Sequence, residues 1–338
     1  MKAKQKQMKK TVLALLLCTA MLLIAGCAKT PQGGSDPAKS GGSTGKTVYN
    51  IGVCQLTRHV ALDAATQGFS DALKAIFGEE SVNIDVQNAA GDSAACSTIV
   101  NSFVSKKVDL IMANATAALQ AAYNATAEIP VLGTSITEYG VALGLNDFNG
   151  TVGGNISGTS DLAPLTQQGD MILELFPQCK TVGLLYCSAE PNSEYQVRVM
   201  EEYLGGKGIA TERYSFSDTN DISAVATAAA KASDVIYIPT DNTAASCTGT
   251  ISNIVLQEKV PVVAGEEGIC SGCGVAALSI SYYDLGYKTG EMAAKILRGE
   301  AKISEMPIEY APAKKVYNAE MCAEFGIEVP GDYEAIAK

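Results

Sequence analysis

Residues 181–214 read TVGLLYCSAEPNSEYQVRVMEEYLGGKGIATERY. Thr181 to Cys187 is a short run of apolar and β-branched residues, the length and chemistry of a buried strand. Pro191 suits the first turn of a helix, Val197, Met200 and Leu204 fall on one helical stripe, and Gly205-Gly206 ends it. Strand character returns over Gly208 to Tyr214. This is one strand–helix–strand unit, whose two strands lie side by side and parallel with the helix packed across them.

The same alternation extends outward in both directions. Before it, the strand candidates are Tyr49 to Cys54, Val82 to Gln87, Val108 to Ala113 and Pro130 to Gly133. After it come Asp234 to Pro239 and Val260 to Ala264. Leu62, Ala65, Phe69, Leu73 and Ile76 form a stripe that can cover a sheet face. Counted from Thr47, roughly 290 residues remain, more than one core usually supports. Two doubly wound parallel-sheet α/β lobes are therefore expected, joined near Gly154 to Ser160. The glycine-rich stretch Gly150 to Gly158 lacks the strand, helix and acidic partner of a dinucleotide fingerprint and reads as the crossing between lobes.

The start of the chain is different in kind. Lys2, Lys4, Lys6, Lys9 and Lys10 precede an apolar run from Thr11 to Ile24, which is too short to span a bilayer and has the build of a secretory signal. Leu23-Ile24-Ala25-Gly26-Cys27 resembles a bacterial lipobox, which makes residues 1–26 a cleaved signal and Cys27 a lipidated anchor. Residues 27–46, rich in Gly and Ser, read as a flexible tether. Loss of the five signal lysines takes the formal charge from -11 to -16, a poor match for nucleic acid.

Ten cysteines suggest a disulfide framework, but Cys18 leaves with the signal and Cys27 carries lipid. Cys54 and Cys187 sit in strand-like runs where a thiol behaves as a small hydrophobe. Cys270 and Cys273 are the one suggestive pair. With no second CxxC and His59 the only histidine, they read as a local disulfide or two quiet thiols, not a metal site. There is no GxSxG, Walker loop or HExxH, so neither a catalytic residue nor a cofactor or metal is expected.

In open α/β sheets, ligands bind beyond the carboxyl ends of the strands, so the residues found there are the site candidates. They are Gln55 and His59 after the first strand, Thr116 after the third, and Thr134 and Ser135 after the fourth. In the second half they are Glu190 and Asn192, Thr240 and Asp241, and Glu266. Hydroxyls and helix-start N–H groups suit a carboxylate, and a buried acid suits an ammonium, so a zwitterion fits such a set. Asp241 is the candidate ammonium partner; the competing reading is that it caps the helix beginning there.

Several segments together resemble the ABC transporter substrate-binding protein family that includes tryptophan and phenylalanine binders. They are Ile51 to Gln55 with His59 and Ala61-Leu62-Asp63, Asn155 to Asp161, Ser188 to Ser193 with Gln196-Val197, Tyr237 to Thr243, Ala264-Gly265-Glu266, and Tyr282 to Gly286 with Thr289-Gly290 and Met292 to Leu297. Val60 and Glu138 depart from it, standing where proline and aspartate are common. The resemblance implies a type I periplasmic-binding fold, two lobes joined by three crossings and closing like a jaw. Residues 47–157 with 282–309 would form the first lobe, and 158–281 with 310–338 the second. It implies a monomer that captures a small molecule, an aromatic amino acid first among the choices, and presents it to a membrane ABC permease. A branched-chain amino acid or a nucleobase-like ligand is an alternative cargo, and a sensor module feeding a chemoreceptor or kinase is the alternative role.

Overall fold

In a computed structural model the described residues are 47–336, so the signal, the tether and Cys27 lie outside them. The first half runs β1 (Tyr49–Gln55), α1 (Val60–Phe77), β2 (Val82–Asn88), α2 (Ser93–Lys106), β3 (Leu110–Asn114), α3 (Thr116–Ala125), β4 (Val131–Ile136), α4 (Tyr139–Leu143) and β5 (Ile156–Ser160). The second half runs α5 (Leu165–Leu175), β6 (Thr181–Cys187), α6 (Pro191–Gly206), β7 (Ala210–Phe216), α7 (Ile222–Ala232), β8 (Val235–Ile238), α8 (Asn242–Ala245), α9 (Thr248–Glu258), β9 (Val262–Ala264), α10 (Glu267–Cys273) and β10 (Ala276–Ile280). The chain then returns through α11 (Tyr282–Leu297), β11 (Glu309–Tyr310), β12 (Ala313–Tyr317), α12 (Ala319–Phe325) and β13 (Glu334–Ala335).

The strands form two sheets. One has the order β11-β5-β4-β3-β1-β2, and the other β13-β12-β10-β9-β8-β6-β7. Every pairing is parallel except that of β10 with β12. Helices cover both faces, as buried parallel sheets require. On the first sheet one core gathers Phe103, Ile111, Leu119 and Val131, and the other Phe69, Leu73, Met112 and Met292. The second sheet holds a larger core around Val197, Met200, Leu204, Ile236 and Val263. The stripe Val197, Met200 and Leu204 thus faces inward, and α6 begins at Pro191, as its sequence pattern requires.

Ile156–Ser160 departs from the expectation of a crossing: it is a strand of the first sheet, paired with β4. The glycines that suggest a linker serve a close strand approach. Gly158 takes φ 146°, and a Cβ there would come within 2.1 Å of the Gly133 carbonyl oxygen. The chain leaves this sheet after Ser160, re-enters it through α11 and β11, and returns to the second sheet at β12. The helix α11 packs along α1, where Ala61, Ala65 and Tyr282 form a small apolar cluster.

All eight cysteines among the described residues are free thiols, including Cys270 and Cys273. Among those residues no cluster of His, Cys, Asp or Glu could hold a metal, and no helix is long and apolar enough to cross a membrane.

Candidate functional site

The carboxyl ends of both sheets supply one shared cavity of about 10 Å³, room for little more than a single water. From the first-sheet side it is lined by His59, Leu62, Ser135, Thr137, Asp161 and Tyr282. The opposite wall is made of Asn192, Thr240, Asp241, Asn242, Ala245 and Glu266. One contact joins the two walls, and a second braces the first wall from within. His59 Nε2 lies 3.3 Å from Asn242 Oδ1, and the Tyr282 hydroxyl donates to Asp161 Oδ2 at 2.8 Å.

Much of the second wall is held from behind by Glu190. Its carboxylate accepts from Asn242 N at 3.0 Å and Nδ2 at 2.7 Å, from Thr243 N and Oγ1 at 2.8 Å each, and from Asn192 Nδ2 at 3.1 Å. With the Asn242 amide nitrogen committed to Glu190, its oxygen faces His59. His59 Nε2 is therefore the protonated nitrogen and Nδ1 a bare acceptor. Burial holds the imidazole below its usual pKa, and the facing Asn242 oxygen opposes that shift.

Asp241 also works as a cap. Its Oδ1 accepts from Ala244 N at 2.8 Å and its Oδ2 from Cys187 N at 2.6 Å. Glu266 likewise accepts from the N–H groups of Gly268 and Ile269 at the start of α10. Both acids border the cavity, but their oxygens already receive backbone donors. Asp161 differs: one oxygen holds Tyr282 and the other, buried, has no partner among the described residues. Burial raises all three carboxyls, Asp161 to about 6, Glu266 to about 7 and Asp241 to about 8, the last with added repulsion from Glu190.

Of the residues expected from sequence, His59, Ser135, Asn192, Thr240, Asp241 and Glu266 meet at the cavity, and Glu190 supports it. Gln55 is committed within the first lobe, donating to Thr57 O at 2.7 Å and Asp63 Oδ1 at 2.6 Å while accepting from Thr66. Thr134 faces Thr159 at 3.2 Å in a buried hydroxyl chain that continues to Thr289. Thr116 is buried at the start of α3, off the cavity. Asp161 and Tyr282 were missed. The signal for Asp161 was its place directly after a strand, hidden because that strand reads as a linker.

Four buried polar atoms on the cavity's lining residues have no hydrogen-bond partner among the described residues: His59 Nδ1, Ser135 Oγ, Asp161 Oδ1 and Asn192 Oδ1. Three of these can only accept. A buried acceptor without a donor costs about 1–3 kcal/mol, so clustering three of them is the mark of a site built for a donor-rich guest. Beside the cavity, and sharing Asn242 with it, lies an open cleft of about 490 Å³ between the loops after β1, β2 and β3 and those after β6, β7 and β8. Its walls include Leu56, Ala90, Gly91, Ala117 and Ala189, small or apolar residues that leave this space.

Comparison with known proteins gives a consistent result. The family model described as ABC transporter substrate binding protein matches residues 50–337. A tyrosine-binding protein of Clostridioides difficile is 34% identical over 308 residues, 90% of this chain and 88% of the relative. Among solved structures, the ABC domain from Streptococcus pneumoniae in complex with L-Trp superposes with a TM-score of 0.81 at 32% identity, covering 86% of this chain and 100% of that one. The ligand-free, open structure of a substrate-binding protein with adhesive properties from Clostridium difficile is 36% identical, covering 86% and 99%, yet gives a TM-score of only 0.66. The poorer superposition therefore does not follow sequence distance.

Proposed function

The chain belongs to the ABC transporter substrate-binding protein family, and from that premise we propose that it captures an aromatic amino acid between its lobes and presents it to a membrane importer. The observation that carries this reading is the trio of unpartnered buried acceptors, His59 Nδ1, Asp161 Oδ1 and Asn192 Oδ1, on residues lining one cavity. An ammonium group carries three N–H donors, and Asp161 supplies its counter-charge. Ser135 Oγ, with no partner among the described residues, is the hydroxyl donor for the ligand's carboxylate.

The charged end of an amino acid thus belongs in the inner cavity. The adjoining cleft of about 490 Å³ is the space for the side chain, within the size range of sites for small ligands. A ring there would lie against Leu56, Ala90, Ala117 and Ala189. The relatives that bind tyrosine and L-Trp support this class of cargo.

Capture works by differential contact. A ligand that bonds both walls at once favours the closed arrangement over any open one, and the closed form is what a permease can recognise. Under the same proposal Cys27 tethers the protein, as a monomer, to the outer face of the membrane through its lipid.

The test uses the absence of tryptophan from the chain. After removal of copurified ligand by unfolding and refolding, free tryptophan is titrated and its own emission followed. A saturable blue shift, reversed by tyrosine or phenylalanine, supports the assignment. No saturable response to any of the three, with a stabilising response to a non-aromatic ligand in a melting screen, transfers the site to that ligand.

A further inference from the structure

Strand β1 and helix α2 approach each other closely, and two residue pairs define the contact. At Gly52 a Cβ would come within 2.5 Å of the Phe103 ring, so α2 packs directly on the backbone of β1 there. Residues 52 and 54 point to the same face of a strand, and residues 96 and 103, two turns apart, share one face of a helix. Because strand and helix run in opposite directions in this unit, Cys54 opposite Cys96 is the next rung of the contact after Gly52 opposite Phe103.

The atoms bear this out. Cys54 Sγ lies 3.9 Å from the carbonyl oxygen of Cys96. The two thiols also perturb each other's ionisation, Cys54 being raised and Cys96 lowered by the neighbouring sulfur. Both are fully buried, in the core that includes Leu62, Ala89 and Val100. Proteins of this family work outside the cytoplasm, where thiols meet oxidants and disulfides persist.

We propose that Cys54 and Cys96 are a redox pair that forms an intramolecular disulfide tying the end of β1 to the first turn of α2. The oxidant is a disulfide of the glutathione type. One cysteine thiolate attacks it and expels a thiolate, leaving a mixed disulfide on the protein. The second cysteine attacks the protein sulfur of that mixed disulfide and expels the other thiolate. The protein loses two electrons and two thiol hydrogens, and the oxidant leaves as two thiols. Since both sulfurs are shielded in the folded lobe, exchange occurs during folding or in an opened form of this segment.

The bond would sit beside the ligand cleft. β1 leads directly into the loop carrying His59, and α2 opens with Asp92 and Ser93, which border the cleft at its mouth. Oxidation therefore fixes one wall of that cleft, whichever ligand it takes.

The full chain is refolded from reduced denaturant in a glutathione redox buffer. Free thiols are then alkylated under denaturing conditions and the protein is mapped by mass spectrometry. The expected product is a peptide pair linked through Cys54 and Cys96, released by dithiothreitol. Reduction should lower the melting temperature of the wild-type protein and leave that of Cys54→Ser or Cys96→Ser unmoved. Quantitative alkylation of both residues, or a disulfide from Cys54 or Cys96 to any other cysteine, overturns the proposal. The wild-type map decides by itself if the variants do not fold.

Discussion

Tyr282 donates its phenolic hydrogen to Asp161 at 2.8 Å, and this bond joins the segment where the chain leaves the first sheet to the helix by which it returns. The phenol occupies one carboxylate oxygen and leaves the other, buried on a residue that lines the cavity, without a hydrogen-bond partner among the described residues. Asp161 is thus held by one bond and half unpaired, in contrast with Asp241 and Glu266, whose oxygens receive backbone donors.

Asp161→Asn keeps the shape and the Tyr282 contact but removes the charge. Hydrogen bonds to charged groups contribute about 1.5–3 kcal/mol, so affinity should fall about tenfold to a hundredfold while the ligand-free melting temperature is unchanged or higher. Asp241→Asn, which puts an amide donor against the N–H of Ala244 or Cys187, should lower the melting temperature as a lost cap, at about 1–2 kcal/mol. Calorimetric titration beside thermal melts separates the two. Equal affinity losses with equal destabilisation would return the ammonium role to Asp241.

The three raised carboxyls predict an inverted pH dependence of stability. Asp161, Glu266 and Asp241 titrate near 6, 7 and 8 when folded, against about 4 in an unfolded chain. Between pH 4 and 8 the folded form therefore binds more protons, and stability falls as pH rises. The contribution is complete below about pH 4 and is lost as pH passes through 8. These acids face each other, Glu190, Glu267 and the Tyr282 phenol, with no lysine or arginine on the cavity wall. Ligand-free protein should melt higher at pH 5 than at pH 8. An amino acid ammonium replaces the missing positive charge, so the ligand-induced rise in melting temperature should be larger at pH 8. A rise independent of pH would show that the ligand's cation does not meet these acids.

His59 and Asn242 predict an energetic coupling across the jaw. Their 3.3 Å contact is made only with the walls together. A net hydrogen bond contributes about 1 kcal/mol, so His59→Ala and Asn242→Ala should each weaken binding at least about fivefold, and the double variant should lose less than the sum. Small-angle scattering should show less compaction on ligand addition. Strict additivity would place the contact outside the closing step.

Sequence patterning made the two wound halves legible because each buried strand is a dense apolar run and each helix a stripe. It failed at Ile156–Ser160, where backbone packing against Gly133 requires glycine and so erases the strand signal. Half of the site was legible for a related reason. Position after a strand brought His59, Ser135, Asn192, Thr240, Asp241 and Glu266 to the cavity lining, because the topology gathers such loops at one cleft. Patterning does not reveal where an oxygen points, and an acid at a strand end is equally suited to cap the next helix. Asp241 and Glu266 do so and Glu190 caps the start of α8 instead, whereas Asp161, in the loop before α5, keeps one oxygen without a partner among the described residues.

The open cleft beside Asn242 carries a prediction about specificity. Its volume depends on small side chains, Ala117 from the first lobe and Ala189 from the second. Ala117→Leu and Ala189→Leu add bulk at a surface cleft without filling a packed core, so folding should be spared. If the ligand's ring lies there, overpacking costs about 1–3 kcal/mol and falls hardest on the largest ring, so tryptophan should lose more affinity than phenylalanine. The ammonium and carboxylate contacts are untouched, and a small amino acid competing weakly for the same site should keep its inhibition constant. Uniform loss across all amino acids would mean that the variants hinder closure. No loss for any of them would place the ring outside this cleft.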